Sequence, residues 1–218
     1  KEGKTEIIMT NEQYYELIRP YQNANQIMLT KLEVLNENLY HKSDNGPIHN
    51  VQDRIKDKKS IEGKLARIGK SDSVQNAKDY LKDIAGIRVI CYFLDDIYNL
   101  VDALKRHTDL ILITEKNYIE NPKPNGYRSY HMILAVPVYY LDTMEYFPVE
   151  IQLRTMAMDF WASMEHRICY KKTPEHRAKL ASAFCQYAKL LGDIESQFEA
   201  YNETGKLLQE VHDKEQKE

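Results

Sequence analysis

Apolar side chains recur at helical spacing at both ends of the chain. Leu17, Ile18 and Tyr21 follow this spacing in the first 40 residues, which predicts amphipathic helices there. The same spacing resumes after Thr173, a residue type that caps helices, and runs almost to the last residue. The polar, turn-rich segment HKSDNGPIHN (residues 41–50) predicts a loop after the first helical region.

The centre of the chain alternates strand-like and helical patterns. β-Branched and aromatic runs predict strands, and apolar residues at helical spacing predict helices between them. The predicted strands are residues 87–93, 110–114, 129–140 and 145–155, and the predicted helices are 73–84, 97–107 and 155–170. We therefore expect an α+β fold with a mixed β-sheet of about four or five strands flanked by helices. The predicted units are N-terminal helices over residues 1–45, a central domain over 46–172 and C-terminal helices over 173–218.

Composition limits the functional classes. The net charge of -3 argues against a protein coated by nucleic acid, so any site for anions must be local. No apolar run approaches the roughly 20 residues of a membrane span, and we expect no membrane partner. The three cysteines lack CxxC spacing, which argues against a disulfide scaffold or a zinc site and favours a cytoplasmic protein.

The segment EYFPVEIQLRT places a polar stripe on a predicted strand. Glu150, Gln152 and Arg154 share one face at steps of roughly 6.6 Å, while the residues between them face the core. Before another predicted strand, Asp83 precedes a glycine, and Arg88 lies on that strand's polar face. If the two strands are neighbours, Asp83 and Glu150 approach one another, and paired carboxylates near phosphates suit Mg²⁺. The alternative is a solvated sheet face with a surface acid.

A basic segment, RIKDKKSIEGKLARIGK, begins at Arg54. An extended start would direct Arg54 and Lys56 the same way, and a following helix would align Lys56, Ser60 and Lys64 on one face. Such an array of long cations with a hydroxyl suits a triphosphate. The chain has no GxxxxGK[ST] motif, so the array is not a P-loop. A solvated basic helix face is the alternative interpretation.

The segment PKPNGYRSYH (residues 122–131), here called the tyrosine turn, concentrates cations and aromatic rings in a slightly acidic chain. Tyr127 offers a face on which a nucleobase could stack, and Lys123 and Arg128 offer positive charge. His131 could contact phosphate or assist proton transfer. The alternatives are packing for the tyrosine rings and a structural role for His131.

Three motifs in this order carry a family resemblance. KDIAGIRV, PKPNGYRSYH and VEIQLRTMAMDFWASMEH resemble the synthetase domain of the RelA/SpoT family of (p)ppGpp synthetases, closely over residues 50–172. The chain length resembles the small alarmone synthetases of this family, RelP type first and RelQ type second. The resemblance implies a nucleotidyltransferase-like fold and a pyrophosphokinase of the bacterial stringent response. With Mg²⁺, such an enzyme moves the β,γ-pyrophosphate of ATP onto the 3′-oxygen of GTP or GDP.

The resemblance also assigns roles to individual residues. It implies that Asp83 and Glu150 hold Mg²⁺ and that Glu150 activates the 3′-hydroxyl. The implied ATP-binding residues are Arg54 and Arg88 around the adenine, with Lys56, Ser60 and Lys64 along the phosphates. The implied guanine-nucleotide residues are Tyr127, stacked on the base, and Lys123, Arg128, His131, Gln152, Arg154 and Asp159.

Some features bear on what the family pattern leaves open. Asn117 stands where relatives often carry aspartate, and Asp159 where close relatives can have asparagine, so the preference among GTP, GDP and GMP stays open. The pair His212–Asp213 matches the start of a hydrolase motif, but it lies in a charged helical tail and we expect it to be superficial. We therefore expect no hydrolase activity and no ribosome-binding domain. The resemblance also implies a homotetramer formed through the helical arms.

Two other functions stay open at this point. One is a nucleotide-binding regulatory module that has lost its chemistry, and the other is an enzyme that transfers a nucleotidyl group. The presence of Asp83, Glu150 and Tyr127 together argues against the first. The reaction products distinguish the two enzymes, because a pyrophosphokinase releases AMP and a nucleotidyltransferase releases pyrophosphate.

Overall fold

The computed structural model describes residues 9–39, 46–170 and 172–215. These residues form five strands and six helices. In chain order they are α1 (Asn11–Asn38), β1 (Ile48–Ile55), α2 (Lys58–Arg67), α3 (Val74–Tyr80), β2 (Ala85–Cys91), α4 (Leu94–Arg106), β3 (Ile111–Asn117), β4 (Tyr130–Tyr139), β5 (Met144–Thr155), α5 (Met156–Cys169) and α6 (Pro174–Glu215). No helix within these ranges is both long enough and apolar enough to cross a lipid bilayer.

The strands form one mixed sheet in the order β1-β2-β5-β4-β3. β2 and β5 pair in parallel, and the other neighbours pair antiparallel. The parallel pair places Gly86 opposite Glu150, so the two strands that carry the predicted carboxylates are neighbours. The expected α+β fold with a mixed sheet of about five strands is confirmed.

One face of the sheet is buried beneath α1 and α4. Ile87, Val89, Ile151 and Leu153 point to this face, and none is more than 2% exposed. The apolar stripe of α4 packs into the same core, as its helical spacing predicted. Because successive strand residues alternate between faces, the polar residues of β2 and β5 are directed to the opposite side.

Two of the differences from the sequence predictions follow from strand pairing. β1 begins at Ile48, inside the segment predicted as a loop, because pairing with β2 supplies its backbone hydrogen bonds. α3 ends at Tyr80, whereas the pattern predicted a helix through residue 84. Leu81 and Ile84 are fully buried, and the Lys56 N–H donates to the Ile84 carbonyl at 2.8 Å. A helix through Ile84 would withdraw that carbonyl, so pairing with the β1 end overrides the helical pattern.

α5 and α6 share a second, smaller hydrophobic cluster. Its buried members are Trp161, Cys169, Phe184 and Ala188. Trp161 Nε1–H donates to the carbonyl of Phe184 at 2.8 Å, which ties the two helices together. α6 follows Thr173, whose hydroxyl accepts the N–H of His176 at 3.3 Å, in agreement with the predicted cap.

Candidate active site

The polar face of the sheet runs across four strands. Arg54 of β1 and Glu150 of β5 lie on either side of a single β2 glycine. One step along, Gln152 of β5 faces Arg88 of β2 on one side and His131 of β4 on the other. Strand register alone therefore brings these predicted residues together, because cross-strand neighbours on one face lie about 5 Å apart.

A cleft of ≈ 210 Å³, here called the arginine cleft, opens on this face. Arg54, Arg88, Glu150 and Gln152 are among its lining residues. A Cβ added to the intervening Gly86 would lie 3.6 Å from Arg54 Nε, so the guanidinium side chain lies directly over the glycine. Two arginines on the walls of one cleft can sandwich a flat base.

Arg88 connects this cleft to its surroundings. Its Nη1 donates to Gln52 Oε1 at 3.4 Å, and the same atom lies 3.7 Å from the carboxylate of Asp159. Burial, together with the charge of Arg154, lowers the pKa of Arg88. Its Nε is buried without a hydrogen-bond partner among the described residues. This guanidinium is therefore incompletely satisfied and suited to a further acceptor.

The basic segment forms what we call the phosphate cluster, made of Lys56, Asp83 and Lys64. Both ammonium groups contact Asp83 Oδ2, at 2.9 Å from Lys56 and 2.7 Å from Lys64. Burial would raise the pKa of Asp83, but the hydrogen bonds and charges of the two lysines outweigh it and lower that pKa. Ser60 lies at the start of α2, where its hydroxyl donates to Asp57 Oδ2 at 2.7 Å and not to the cluster.

Five side chains form a circuit of four hydrogen bonds and one longer His131–Glu150 contact, which we call the polar ring. Arg154 Nη2 donates to Gln152 Oε1 at 3.2 Å, and Gln152 Nε2 donates to Glu150 Oε2 at 3.1 Å. Glu150 Oε1 lies 3.7 Å from His131 Nδ1, and His131 Nε2 lies 2.9 Å from the Tyr127 hydroxyl. That hydroxyl accepts from Arg154 Nη2 at 2.9 Å, which completes the circuit. The ring holds Glu150 at the border between the arginine cleft and the tyrosine turn.

The protonation of the ring follows from its geometry. Burial, reinforced by the charges of Arg154 and Lys123, lowers the pKa of His131 to about 4, so this histidine is neutral at pH 7. Arg154 already donates to the Tyr127 hydroxyl, which leaves the hydroxyl hydrogen for His131 Nε2. The Nδ1–H of His131 then faces Glu150, an assignment made from the hydrogen-bond network.

Asp159 connects the polar ring to the arginine cleft. Its Oδ1 accepts from Arg154 Nη1 at 3.0 Å and lies 3.7 Å from Arg88. It stands in the first turn of α5, directly after β5, so the helix start carries it to the end of the polar stripe. Arg154 is only 5% exposed, which makes it a fixed part of the site and not a solvated sheet-face charge.

The tyrosine turn is a closed turn with Lys123 over its aromatic rings. The Gly126 N–H donates to the Lys123 carbonyl at 2.8 Å, and the Lys123 N–H donates to the Tyr127 carbonyl at 3.1 Å. Lys123 Nζ lies 4.8 Å from the ring centroids of both Tyr118 and Tyr127. The ammonium therefore covers aromatic surface on which a base could stack.

Arg128 is directed to α6 and not to the polar ring. Its Nη1 lies 3.4 Å from Glu195 Oε2 on α6 and makes no contact with the polar ring in the part of the chain that is described. The sequence interpretation grouped Arg128 with Lys123 and Tyr127. Consecutive residues of an extended segment point to opposite sides, so Arg128 turns away where Tyr127 turns inward.

Three residues near the site had not been singled out from the sequence. The ring of Tyr118 packs edge-on against that of Tyr127, with 6.1 Å between centroids, and the ring of Trp161 packs against Tyr127 with 6.4 Å between centroids. Gln52 accepts a hydrogen bond from Arg88. Tyr118 and Trp161 are aromatic residues beside or within the recognised motifs, which was an available signal. Gln52 lies on β1, part of which was predicted as a loop, so the sequence contained no comparable signal for Gln52. Asn117, the departure from the family pattern, caps the next turn through the N–H groups of residues 119 and 120.

Asp83 and Glu150 have the chemistry of a magnesium site. Asp83 lies two residues before β2, and Glu150 lies on the neighbouring strand β5 opposite Gly86, although each carboxylate contacts other side chains. Asp83 Oδ1 is buried and has no hydrogen-bond partner among the described residues, so it can accept a ligand bond. No group of three or more acidic, histidine or cysteine side chains forms a metal cage in the described ranges. One or two carboxylates completed by phosphate oxygens are the usual Mg²⁺ arrangement in such sites, and these residues fit it.

The family model described as "Region found in RelA / SpoT proteins" matches residues 53–175. The chain therefore belongs to the RelA/SpoT family, and the resemblance of its three motifs is confirmed. Among its relatives, the GTP pyrophosphokinase YwaC of Bacillus subtilis is 46% identical over 153 residues, which cover 69% of this chain and 72% of the relative. The GTP pyrophosphokinase YjbM of the same organism is 34% identical over 163 residues, covering 75% and 76%.

Solved structures agree with the fold. The small alarmone synthetase 1 of Bacillus subtilis, bound to its product pppGpp, superposes with a TM-score of 0.78 at 28% identity and covers 89% of this chain and 98% of that chain. The same synthetase bound to AMPCPP gives a TM-score of 0.71 at 27% identity and covers 89% and 100%. The present fold is thus that of small alarmone synthetases.

Proposed function

We propose that this protein is a GTP pyrophosphokinase that transfers the β,γ-pyrophosphate of ATP to the 3′-hydroxyl of GTP or GDP. The products would be pppGpp or ppGpp and AMP. The observation that carries the proposal is the position of Glu150, which lines the arginine cleft and belongs to the polar ring. One carboxylate thus faces both halves of a site for two substrates. The names of the relatives YwaC and YjbM support the same reaction.

ATP would occupy the half built from β1, α2 and β2. The adenine would lie between Arg54 and Arg88, and the phosphates would extend towards Lys56 and Lys64. Ser60, at the N-terminus of α2, would add a hydroxyl and the positive end of the helix dipole. The relative bound to AMPCPP supports an adenine nucleotide as one substrate.

The guanine nucleotide would occupy the half built around the tyrosine turn. Its base would stack on Tyr127, and this requires Lys123 to leave the ring face and move to the phosphates. His131, Gln152, Arg154 and Asp159 would line the acceptor pocket. The relative bound to its product pppGpp supports a guanine nucleotide as the other substrate.

The chemistry needs a proton acceptor and neutralisation of phosphate charge. The Glu150 carboxylate accepts the proton of the ribose 3′-hydroxyl while the 3′-oxygen bonds to the β-phosphorus of ATP. The bond from that phosphorus to the oxygen of the α-phosphate breaks, and AMP leaves. Neutral His131 adds no positive charge that would weaken Glu150 as an acceptor. Mg²⁺, held by Asp83 and Glu150, would supply further neutralisation of the phosphate oxygens.

The experiment is incubation of the full chain with ATP, Mg²⁺ and each of GTP, GDP and GMP, followed by identification of both products. We expect AMP together with a 3′-pyrophosphorylated guanosine nucleotide, and the rates rank the three acceptors. Released pyrophosphate would instead identify a nucleotidyltransferase. Binding of both nucleotides without any product would identify a regulatory module.

We also propose a cytoplasmic enzyme that makes alarmone without degrading it. The side chains of His212 and Asp213 lie outside the described part of the chain, so their predicted superficial position stays a prediction. Incubation with pppGpp and Mn²⁺ or Mg²⁺ should leave the nucleotide intact. Release of pyrophosphate from it would contradict this part of the proposal.

A homotetramer through the helical arms is the proposed assembly. The outward face of α6 exposes Tyr187, Leu190, Phe198 and Tyr201, which are 56%, 58%, 65% and 78% exposed. A row of large apolar residues on one helix supports a subunit contact there. Light scattering should give close to four times the 25.6 kDa chain mass, and a mass of one chain would contradict the assembly.

A further inference from the structure

Gly126, on one side of Tyr127, is fitted against α6. Its φ of 92° lies in the left-handed region that favours glycine. A Cβ added there would lie 2.8 Å from Ala188 Cβ and 3.0 Å from Cys185 Cα. The first distance is shorter than real Cβ atoms show and the second is tighter than most of their contacts, so the tyrosine turn and α6 meet without room for a side chain.

Arg128, on the other side of Tyr127, forms an ion pair with α6. Its Nη1 lies 3.4 Å from Glu195 Oε2, and the two side chains are 20% and 5% exposed. Glu195 Oε1 is buried and accepts no hydrogen bond from any described residue. A Cβ added to Gly192, one turn earlier, would lie 3.1 Å from Arg128 Nη1, so this glycine leaves space for the guanidinium. The buried carboxylate of Glu195 restricts the position of the Arg128 guanidinium, because separating the two groups would leave a buried charge without this partner.

The ring of Tyr127 is itself braced towards α6. Trp161 packs edge-on against Tyr127 at 6.4 Å and against Phe184 of α6 at 5.8 Å. Its indole N–H donates to the Phe184 carbonyl. Three successive residues of the turn, Gly126 to Arg128, thus contact α6 directly or through one tryptophan.

We infer that α6 positions the tyrosine turn for the guanine nucleotide, and that Glu195 is a positioning residue that acts through Arg128. This inference rests on the proposed function. It also gives Arg128 a different role from the phosphate contact expected from the sequence, because the guanidinium points to α6 and away from the polar ring. Glu195 and Gly192 line neither the arginine cleft nor the polar ring, so their effect on the nucleotide is indirect.

The first test compares Glu195→Gln with Glu199→Gln in the full chain. Glu199, one turn further along α6, accepts the backbone N–H of Leu94 at 3.2 Å, so its substitution removes a carboxylate charge from α6 at a position that does not contact the turn. We expect Glu195→Gln to raise the KM for GTP about tenfold, the size of one charge-assisted hydrogen bond, with kcat and the KM for ATP nearly unchanged. Glu199→Gln should leave both KM values close to wild type. An unchanged KM for GTP in Glu195→Gln overturns the inference.

A double-mutant cycle separates anchoring from direct nucleotide contact. If Arg128 acts through Glu195, then Arg128→Met, Glu195→Gln and the double variant raise the KM for GTP by a similar factor. If Arg128 binds the nucleotide independently of Glu195, the two factors multiply in the double variant. Multiplication overturns the inference.

Gly192→Ala keeps the inference testable if Glu195→Gln does not fold. Alanine favours a helix more than glycine, so the melting temperature should not fall. The added Cβ presses on Arg128 and should raise the KM for GTP severalfold. A variant that is as stable as wild type and has an unchanged KM for GTP overturns the positioning role of α6.

Trp161, the one tryptophan of the sequence, gives a readout that needs no catalysis. Its fluorescence during titration with GTP alone measures Kd, which Glu195→Gln should raise by the same factor as the KM. If the wild type binds GTP and makes no 3′-pyrophosphorylated product, the proposed function fails while the rise in Kd still supports the positioning role. If synthesis is normal and the Kd of Glu195→Gln is unchanged, the positioning role alone fails.

Discussion

The two halves of the site are held in different ways. The cations of the arginine cleft and the phosphate cluster all lie in the segment from Arg54 to Arg88. The acceptor half draws on β4, β5, α5 and α6, from Tyr118 to Glu195, and its side chains are bonded to one another in the polar ring. The cations of the donor half therefore come from one segment of the sequence, and the acceptor half depends on packing between more distant elements. Glu150 is common to both.

The largest expected effect follows from loss of the shared residue. Glu150→Gln keeps the shape of the side chain and removes the proton acceptor, so kcat should fall by about 10²–10⁴. ATP binding and the melting temperature should change little, because the arginine cleft is retained. Steady-state kinetics and calorimetric ATP titration check both parts. Near-normal turnover would remove Glu150 from the chemistry and with it the link between the halves.

Substitution of Tyr127 should affect the acceptor half alone. Tyr127→Ala removes a stacking face worth about 1–3 kcal/mol, so the KM for the guanine nucleotide should rise by a factor of roughly 5 to 150 with little change for ATP. Tyr127→Phe is the matched control, because it keeps the ring and loses only the bonds to Arg154 and His131. Equal increases in both KM values after Tyr127→Ala would contradict the separation of the two halves.

The same division explains how much of the site could be predicted from the sequence. Glu150, Gln152 and Arg154 share a face because of strand alternation, and the Arg54–Lys64 cations belong to one short segment, so local patterns were sufficient to group them. Glu195 lies 67 residues from Arg128, and no local pattern connects them. α3 was predicted too long for a related reason, since the pairing of Ile84 with Lys56 is a tertiary contact.

Substitution in the donor half should give the converse result. Arg54→Ala should raise the KM for ATP about tenfold by removing one wall of the arginine cleft, with little change for GTP. Arg88→Ala should affect both substrates, because Arg88 also lies 3.7 Å from Asp159, which holds Arg154. A kinetic comparison of the two variants tests this difference. If Arg54→Ala changed mainly the KM for GTP, the assignment of the two halves would be reversed.

The last expected effect concerns acid stability and not catalysis. Unfolded His131 takes up a proton near pH 6.5, whereas the folded residue does so only near pH 4. The free energy of unfolding should therefore fall by about 3 kcal/mol as the pH drops through this window. Asp83, whose pKa is lowered, should lose its contribution only below its unfolded value of 3.8. Thermal unfolding of wild type and His131→Gln between pH 7 and 4 measures this loss of stability. The same dependence of melting temperature on pH in both proteins would contradict the role of His131.

The fate of the phosphates of ATP tests the central claim most directly. ATP labelled separately at its α-, β- and γ-phosphates is incubated with GTP and Mg²⁺, and the label is located in the separated products. The account predicts that the β and γ labels appear together on the 3′-position of the guanosine product and that the α label stays in AMP. Transfer of the α label, or of the γ label without the β label, would contradict it.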